Sequence, residues 1–167
     1  MIQSTSVEGF TIRDAEEKDV TLILWFIKGL ADYEKLSHEV VATEEDLREQ
    51  LFGSRPMAEV VIGEYNSEPV GFALFFHNFS TFLGKPGIYL EDLFVIPEKR
   101  GLGFGKCLLS FLAKLAVDRN CGRLEWAVLD WNEPSLKFYE SIGARIMKEW
   151  LINRLSGKEL SDLASQL

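Results

Sequence analysis

The chain is poor in the residues that build crosslinks and metal centres, with two cysteines and two histidines in 167 residues. Without an export-like leader, Cys107 and Cys121 make a disulfide framework a poor reading and a reducing cytoplasm the expected compartment. Neither cysteine has a neighbouring histidine or a C-x-x-C partner that would make it a nucleophile. His38 and His77 lie apart, outside any ligand spacing, so no metal is expected. No apolar run approaches the roughly 18 residues of a membrane span, and M-I-Q-S-T-S-V-E-G lacks a signal-like start. No membrane association is therefore expected. Positive charge is also scarce: 18 Lys and Arg against 26 Asp and Glu leave a net charge of −8. That argues against nucleic acid as a partner, because phosphates need a basic footprint, and it is compatible with a cationic substrate.

What is present is enough for one well-packed domain over residues 1–167. Hydrophobic residues make up 47%, and no repeat, low-complexity tract or linker interrupts the chain. Alternation at Phe10–Arg13 predicts a first strand. A helix follows from Val20 to about Tyr33, with Trp25 and Phe26 inward and Gly29 as a weak point. Thr43 and Asp46 resemble a capping box for a second helix ending at Leu51 or Phe52. Strands are expected at Ala58–Tyr65, Val70–Phe76 and Ile88–Ile96, with a turn at Asn66–Pro69 and a loop at Asn78–Gly87. A helix over Gly103–Arg119, a strand over Arg123–Leu129 and a helix over Asn132–Ile142 come next, the last stopped by Gly143. Arg145–Arg154 predicts a final strand or two short ones. Ser156 and Glu159 predict a capping box before a short last helix. The order calls for one mixed α/β (α+β) sheet with helices on both faces and an antiparallel meander at its centre.

One stretch carries the strongest chemical signal, V-I-P-E-K-R-G-L-G-F-G-K at 95–106. A strand enters a glycine-rich turn and leaves as a helix, so backbone N–H groups converge on one spot. Gly101, Gly103 and Gly105 remove obstructing side chains, and Lys99, Arg100 and Lys106 add positive charge. A di- or triphosphate-like anion fits. The P-loop fits poorly, because Cys107 stands where a Ser or Thr must follow the lysine, and so does the dinucleotide fingerprint, whose spacing G-L-G-F-G does not match.

Just upstream, Glu91 and Asp92 break the apolar strand I-Y-L-E-D-L-F-V-I. Neighbours on a strand face opposite ways, so one carboxylate must turn inward or sit at a bulge. An inward carboxylate needs a partner, water or a function; a general base and an anchor for a cationic amine both suit it. Tyr139 offers a phenol that donates a proton at neutral pH, although a lone tyrosine is more often a core or interface aromatic. Asn132, taken alone, is a helix cap. Trp126 reads as core.

In order along the chain stand L-E-D-L-F-V at 90–95, R-G-L-G-F-G at 100–105, W-N-E-P-S at 131–135 and F-Y-E-S-I-G-A at 138–144. I-R-D-A at 12–15 and I-K-G-L-A-D-Y-E at 27–34 extend the pattern forward. Together they resemble the GCN5-related N-acetyltransferase (GNAT) superfamily, and most nearly its diamine (spermidine/spermine) and thialysine acetyltransferase branch. The resemblance implies a central twisted mixed sheet whose middle strand pair splays apart to admit acetyl-CoA. It implies that the pyrophosphate meets the backbone of Arg100, Gly101, Leu102, Gly103, Phe104 and Gly105, with Lys106 beside it. The pantetheine arm would pair along Leu93, Phe94 and Val95, and Asn132 would lie on the cofactor side. Tyr139 would protonate the leaving thiolate, and Glu91 would take the amine proton directly or through water. Tyr33, Glu34, Asp92 and Trp150 would flank the substrate, and a homodimer is implied.

The fit to the branch is incomplete after the first helix, where only Glu34 and Glu39 surround K-L-S-H, and Lys35 and His38 oppose a diamine. The acceptor amine therefore stays open between a diamine, polyamine or thialysine-like molecule and a peptide, amino acid or antibiotic amine. A catalytically weak acyl-CoA-binding module is the reading from a different class.

Overall fold

A computed structural model describes residues 2–167. It divides into two compact units, one running to Ala127 and the other comprising Val128–Leu167. In the first unit six strands form one sheet in chain order: β1 (Ile2–Ser4), β2 (Phe10–Asp14), β3 (Glu59–Tyr65), β4 (Glu68–Ser80), β5 (Lys85–Val95) and β6 (Leu124–Trp126). β1 to β5 pair antiparallel, and β6 pairs parallel to β5, which makes the sheet mixed. The helices of this unit are α1 (Val20–Tyr33), α2 (Glu44–Phe52) and α3 (Phe104–Asp118).

Side-chain alternation sorts the sheet into two buried faces. On one, Val60, Ile62, Phe72 and Phe94 pack with Ile23 and Phe26 of α1 and Leu51 of α2. Phe26 stacks on Phe72 at 5.3 Å between ring centroids. Burying each such ring contributes about 1.5–3 kcal/mol. On the other face, Phe10 of β2 stacks on Phe104 of α3 at 4.3 Å. Gly29 now has a reason to interrupt α1: a Cβ there would come within 2.8 Å of Phe94. The glycine lets the helix lie down on β5.

The expected helices, the antiparallel meander and the Thr43–Asp46 capping box are all present. Several expectations change. Trp25 is 56% exposed while Phe26 is buried, because only one of two adjacent helical positions meets the sheet. A strand not foreseen, β1, precedes the one at Phe10. The loop expected at Asn78–Gly87 is mostly strand, since Asn78–Ser80 pair with Lys85–Gly87 and only four residues turn. The hairpin joining β3 to β4 turns through Asn66 and Ser67, both with positive φ, the primed geometry that suits strand twist.

The second unit holds α4 (Glu133–Ser141) and α5 (Gly157–Ala164). Asn132 caps α4, its side chain accepting from the Ser135 N–H. The strand expected over Arg145–Arg154 does not form. Among the described residues this unit has no strand to pair with it, and an unpaired strand leaves its backbone unsatisfied. Ser156 precedes α5 at the cap position but makes no side-chain cap bond. Among the described residues no helix is long and apolar enough to cross a membrane, and no three His, Cys, Asp or Glu side chains are grouped to hold a metal ion.

Candidate active site

The parallel ladder between β5 and β6 is short, running from Ile88↔Leu124 to Leu90↔Trp126. β5 continues through Glu91–Val95 beyond it. The Ile96 N–H bonds the Val70 carbonyl, so Val70 and Ile96 are a hydrogen-bonded pair. Hydrogen-bonded and non-bonded pairs alternate along antiparallel strands. Gly71↔Val95 and Ala73↔Leu93 are therefore the non-bonded pairs, and the N–H and C=O of Val95 and Leu93 point off the edge away from β4. Phe94 does the opposite: its backbone serves β4, and its ring is buried against α1. This edge offers the N–H and C=O of Leu93 and the N–H of Val95, which suits a chain that carries its own amides; the Val95 carbonyl accepts from Arg100 Nε.

The register between β4 and β5 slips at Leu74/Phe75, where Leu74 faces Asp92 and Phe75 faces Leu90. Glu91 is the unmatched residue of a β-bulge. The bulge shifts the side-chain alternation by one. Leu74 packs onto the α1 face of the sheet, and Asp92 opposite it shares that face with Phe94. Glu91 is left exposed. The sequence required one of the two carboxylates to turn inward or form a bulge; the fold does both, one with each residue.

Burial pushes the Asp92 carboxyl up to about 6, helped by the negative charges of Glu91 and Glu34. Glu34 is the C-terminal cap residue of α1 and is itself half-buried, which raises its carboxyl as well. Asp92 thus feels two further negative charges, one of them on the cap residue where α1 ends, at the negative pole of the helix dipole. An arriving cation would relieve their repulsion.

Downstream of β5 the turn has Gly101 at φ 79° and Gly103 at φ 88°, left-handed angles that explain why glycine stands at both. A Cβ at Gly101 or Gly105 would meet nothing within 4 Å, so the turn is open to a ligand. The first internal bond of α3 runs from the Cys107 N–H to the Gly103 carbonyl. The N–H groups of Phe104, Gly105 and Lys106 precede it and have no intrahelical acceptor. Phe104 offers only backbone here because its ring is core, while Leu102 and Lys106 are exposed. These donors, the positive helix end and the β5 edge suit the pyrophosphate and amide-bearing arm of acetyl-CoA.

The Acetyltransferase (GNAT) family model matches residues 27–144. The chain belongs to the GNAT acetyltransferase family. It is an acetyl-CoA-dependent N-acetyltransferase. Thialysine N-epsilon-acetyltransferase from Bos taurus is 39% identical, over 93% of this chain and 97% of its own. L-ornithine N5-acetyltransferase from Arabidopsis thaliana is 35% identical, over 89% of this chain and 85% of its own. Among solved structures, an integron cassette protein from V. cholerae superposes with a TM-score of 0.79 at 29% identity, covering 93% of this chain and 98% of that one.

In the acetyltransferase, Tyr33, Glu34, Glu91, Asp92, Leu93, Val95 and the glycine turn all lie in the first unit. Asn132, Tyr139 and Trp150 belong to the second. There Tyr139 lies on α4 with its ring 5.4 Å from Phe138, and Trp150 is exposed in the irregular segment before α5. Sequence reasoning gave the Arg100 side chain to the anion as positive charge and missed where it rests. Its guanidinium lies over the Tyr33 ring at 4.5 Å and the Phe94 ring at 5.4 Å, and its Nε donates to the Val95 carbonyl at 2.9 Å. An arginine beside glycines reads as a charge for phosphate; nothing local indicates that it reaches back to the first helix.

Proposed function

We propose that this acetyltransferase acetylates a primary amine of a small cationic molecule of the diamine, polyamine or thialysine type. The observation that carries the reading is the convergence of Glu34, Glu91 and Asp92 beside the open β5 edge, with Asp92 held near neutrality by burial and by its two acidic neighbours. The relatives named for thialysine and ornithine support it, since both acceptors are cationic amines.

The chemistry runs as follows. An alkyl ammonium has a pKa of about 10.4 and must lose a proton before it attacks. Glu91 takes that proton, directly or through water, while Glu34 and Asp92 hold the cation, with Tyr33 and Trp150 as further substrate contacts. The backbone of Arg100–Gly105, with Lys106, binds the pyrophosphate of the thioester donor, and Asn132 serves the cofactor side. The Leu93 N–H at the edge stabilises the oxyanion formed when the amine adds to the thioester carbonyl. Tyr139 gives its phenolic proton to the departing thiolate. The acetyl group moves directly, with no acetylated enzyme residue. We further propose that residues 1–167 act as one catalytic domain, in the cytoplasm, as a homodimer.

The test is an amine panel of spermidine, putrescine, thialysine, ornithine, lysine and a peptide, assayed at several pH values. Small dications should be preferred; equal or better turnover of the peptide defeats the reading. Tyr139→Phe should keep CoA affinity and lose turnover, and unchanged turnover removes its proton-donor role.

A further inference from the structure

One contact joins the donor turn to the acceptor carboxylates. Arg100 opens the glycine turn, yet its guanidinium leaves it, bonds the outward Val95 carbonyl and covers Tyr33, the last residue of α1. Glu34 follows Tyr33 directly. This helix end closes in a C-cap turn, with the Glu34 N–H on the Leu30 carbonyl at 2.9 Å and the Lys35 N–H on the Asp32 carbonyl at 3.1 Å. Lys35 takes a left-handed φ of 62°, costly for a residue with a side chain, so that the Leu36 N–H can close back on the Ala31 carbonyl at 2.8 Å. The middle of α1 is seated on Phe94 through Gly29, and Leu30 packs against the same core, while Tyr33 and Glu34 at the end are half-buried. A planar cation spread across Tyr33 and Phe94 is the brace this end has from the donor side.

We propose that Arg100 is a positioning residue that braces the Tyr33–Glu34 end of α1 against the donor turn and thereby couples donor binding to amine binding. The proposal rests on Glu34 belonging to the acceptor site. Arg100 shares the Val95 carbonyl with the edge along which the donor's amides lie, and its own backbone begins the turn that takes the pyrophosphate. A ligand on either feature acts on the brace, and through it on Glu34. By linkage an amine at Glu34 changes donor affinity by the same factor.

Two measurements on the full chain test this. The first is amide hydrogen exchange at residues 33–36, in wild type, Arg100→Ala, Arg100→Lys and Tyr33→Leu, each checked for an unchanged thermal midpoint. All three variants should exchange about two- to fivefold faster there than wild type, the worth of the stacking contact each of them weakens. The second is CoA affinity with and without spermidine or thialysine. Wild type should show coupling of at least about fivefold, and Arg100→Lys should reduce it to near one, whatever its affinity for CoA alone. Its amine KM should rise by more than its kcat falls. Unchanged exchange in the Arg100 variants overturns the brace, and coupling in Arg100→Lys equal to that of wild type overturns the link. Should no amine on the panel bind, the proposed acceptor class fails, while the exchange data still decide whether Arg100 positions α1.

Discussion

The proposed donor and acceptor halves of the site lie within a few residues of each other on β5, yet they are made of different atoms. At the turn the working groups are backbone: N–H groups before the first bond of α3, and the amides of Leu93 and Val95 at an unpaired edge. At the bulge they are the side chains of Glu34, Glu91 and Asp92, brought together from a helix end and a strand irregularity. Backbone donors are fixed by the fold that makes them and add no charge to bury. Carboxylates must be held against their own repulsion, and Asp92, raised to about 6, registers that cost. One half should therefore fail through backbone strain and the other through charge.

The largest effect should come from removing the proton acceptor. Glu91→Gln is expected to lower kcat by about 10²–10⁴ while leaving CoA affinity intact, as steady-state kinetics and calorimetry would show. Equal damage to CoA binding would mean that the two halves are not chemically separate.

Asp92→Asn should cost activity and add stability. A carboxyl raised from an unfolded value near 3.8 to about 6 binds more protons folded than unfolded between those values. Stability therefore falls as pH rises through that window, and the deficit is complete above it. The asparagine variant should gain up to about 3 kcal/mol at pH 7.5 and little at pH 4, read from urea midpoints. No gain at pH 7.5 would show that Asp92 is better solvated or paired than its surroundings indicate.

Gly103→Ala tests the backbone half. Its Cβ would lie 3.6 Å from Val7, an ordinary contact, so the penalty is the left-handed φ of 88° alone. About 1–2 kcal/mol is expected, shared between fold stability and a loss of CoA affinity of up to roughly thirtyfold, with amine KM little changed. A normal thermal midpoint and normal CoA binding would contradict the need for glycine there. The smallest effect should be that of Glu34→Gln, a rise of several-fold in amine KM at unchanged kcat, reflecting one half-buried charge. It should also lower the acidic limb of the pH–rate profile by relieving Asp92.

The two halves differed in legibility for the same reason. Gly101 and Gly103 stand in one short segment, and glycine at left-handed positions before an amphipathic helix is a local signal. The helices over Val20–Tyr33 and Phe104–Asp118, and the Thr43–Asp46 cap, were likewise local. The bulge was visible only as a choice, since two adjacent acids on a strand cannot both face solvent or both face the core. Which one turns inward depends on the register against β4, decided by a strand eleven or more residues away. The strand expected at Arg145–Arg154 failed for the complementary reason: its apolar content was suitable, but a strand exists only where a partner lies beside it.

By itself, then, the sequence determined what local chemistry can specify: the order of most elements, the anion-binding turn, the acidic strand and, through its motifs, the acetyltransferase family. Tertiary structure alone decided which carboxylate is desolvated, which β5 amides face the open edge, and where the Arg100 guanidinium rests. Each of those depends on pairing or packing between segments distant in the chain, and a side chain's environment is a property of its neighbours in space.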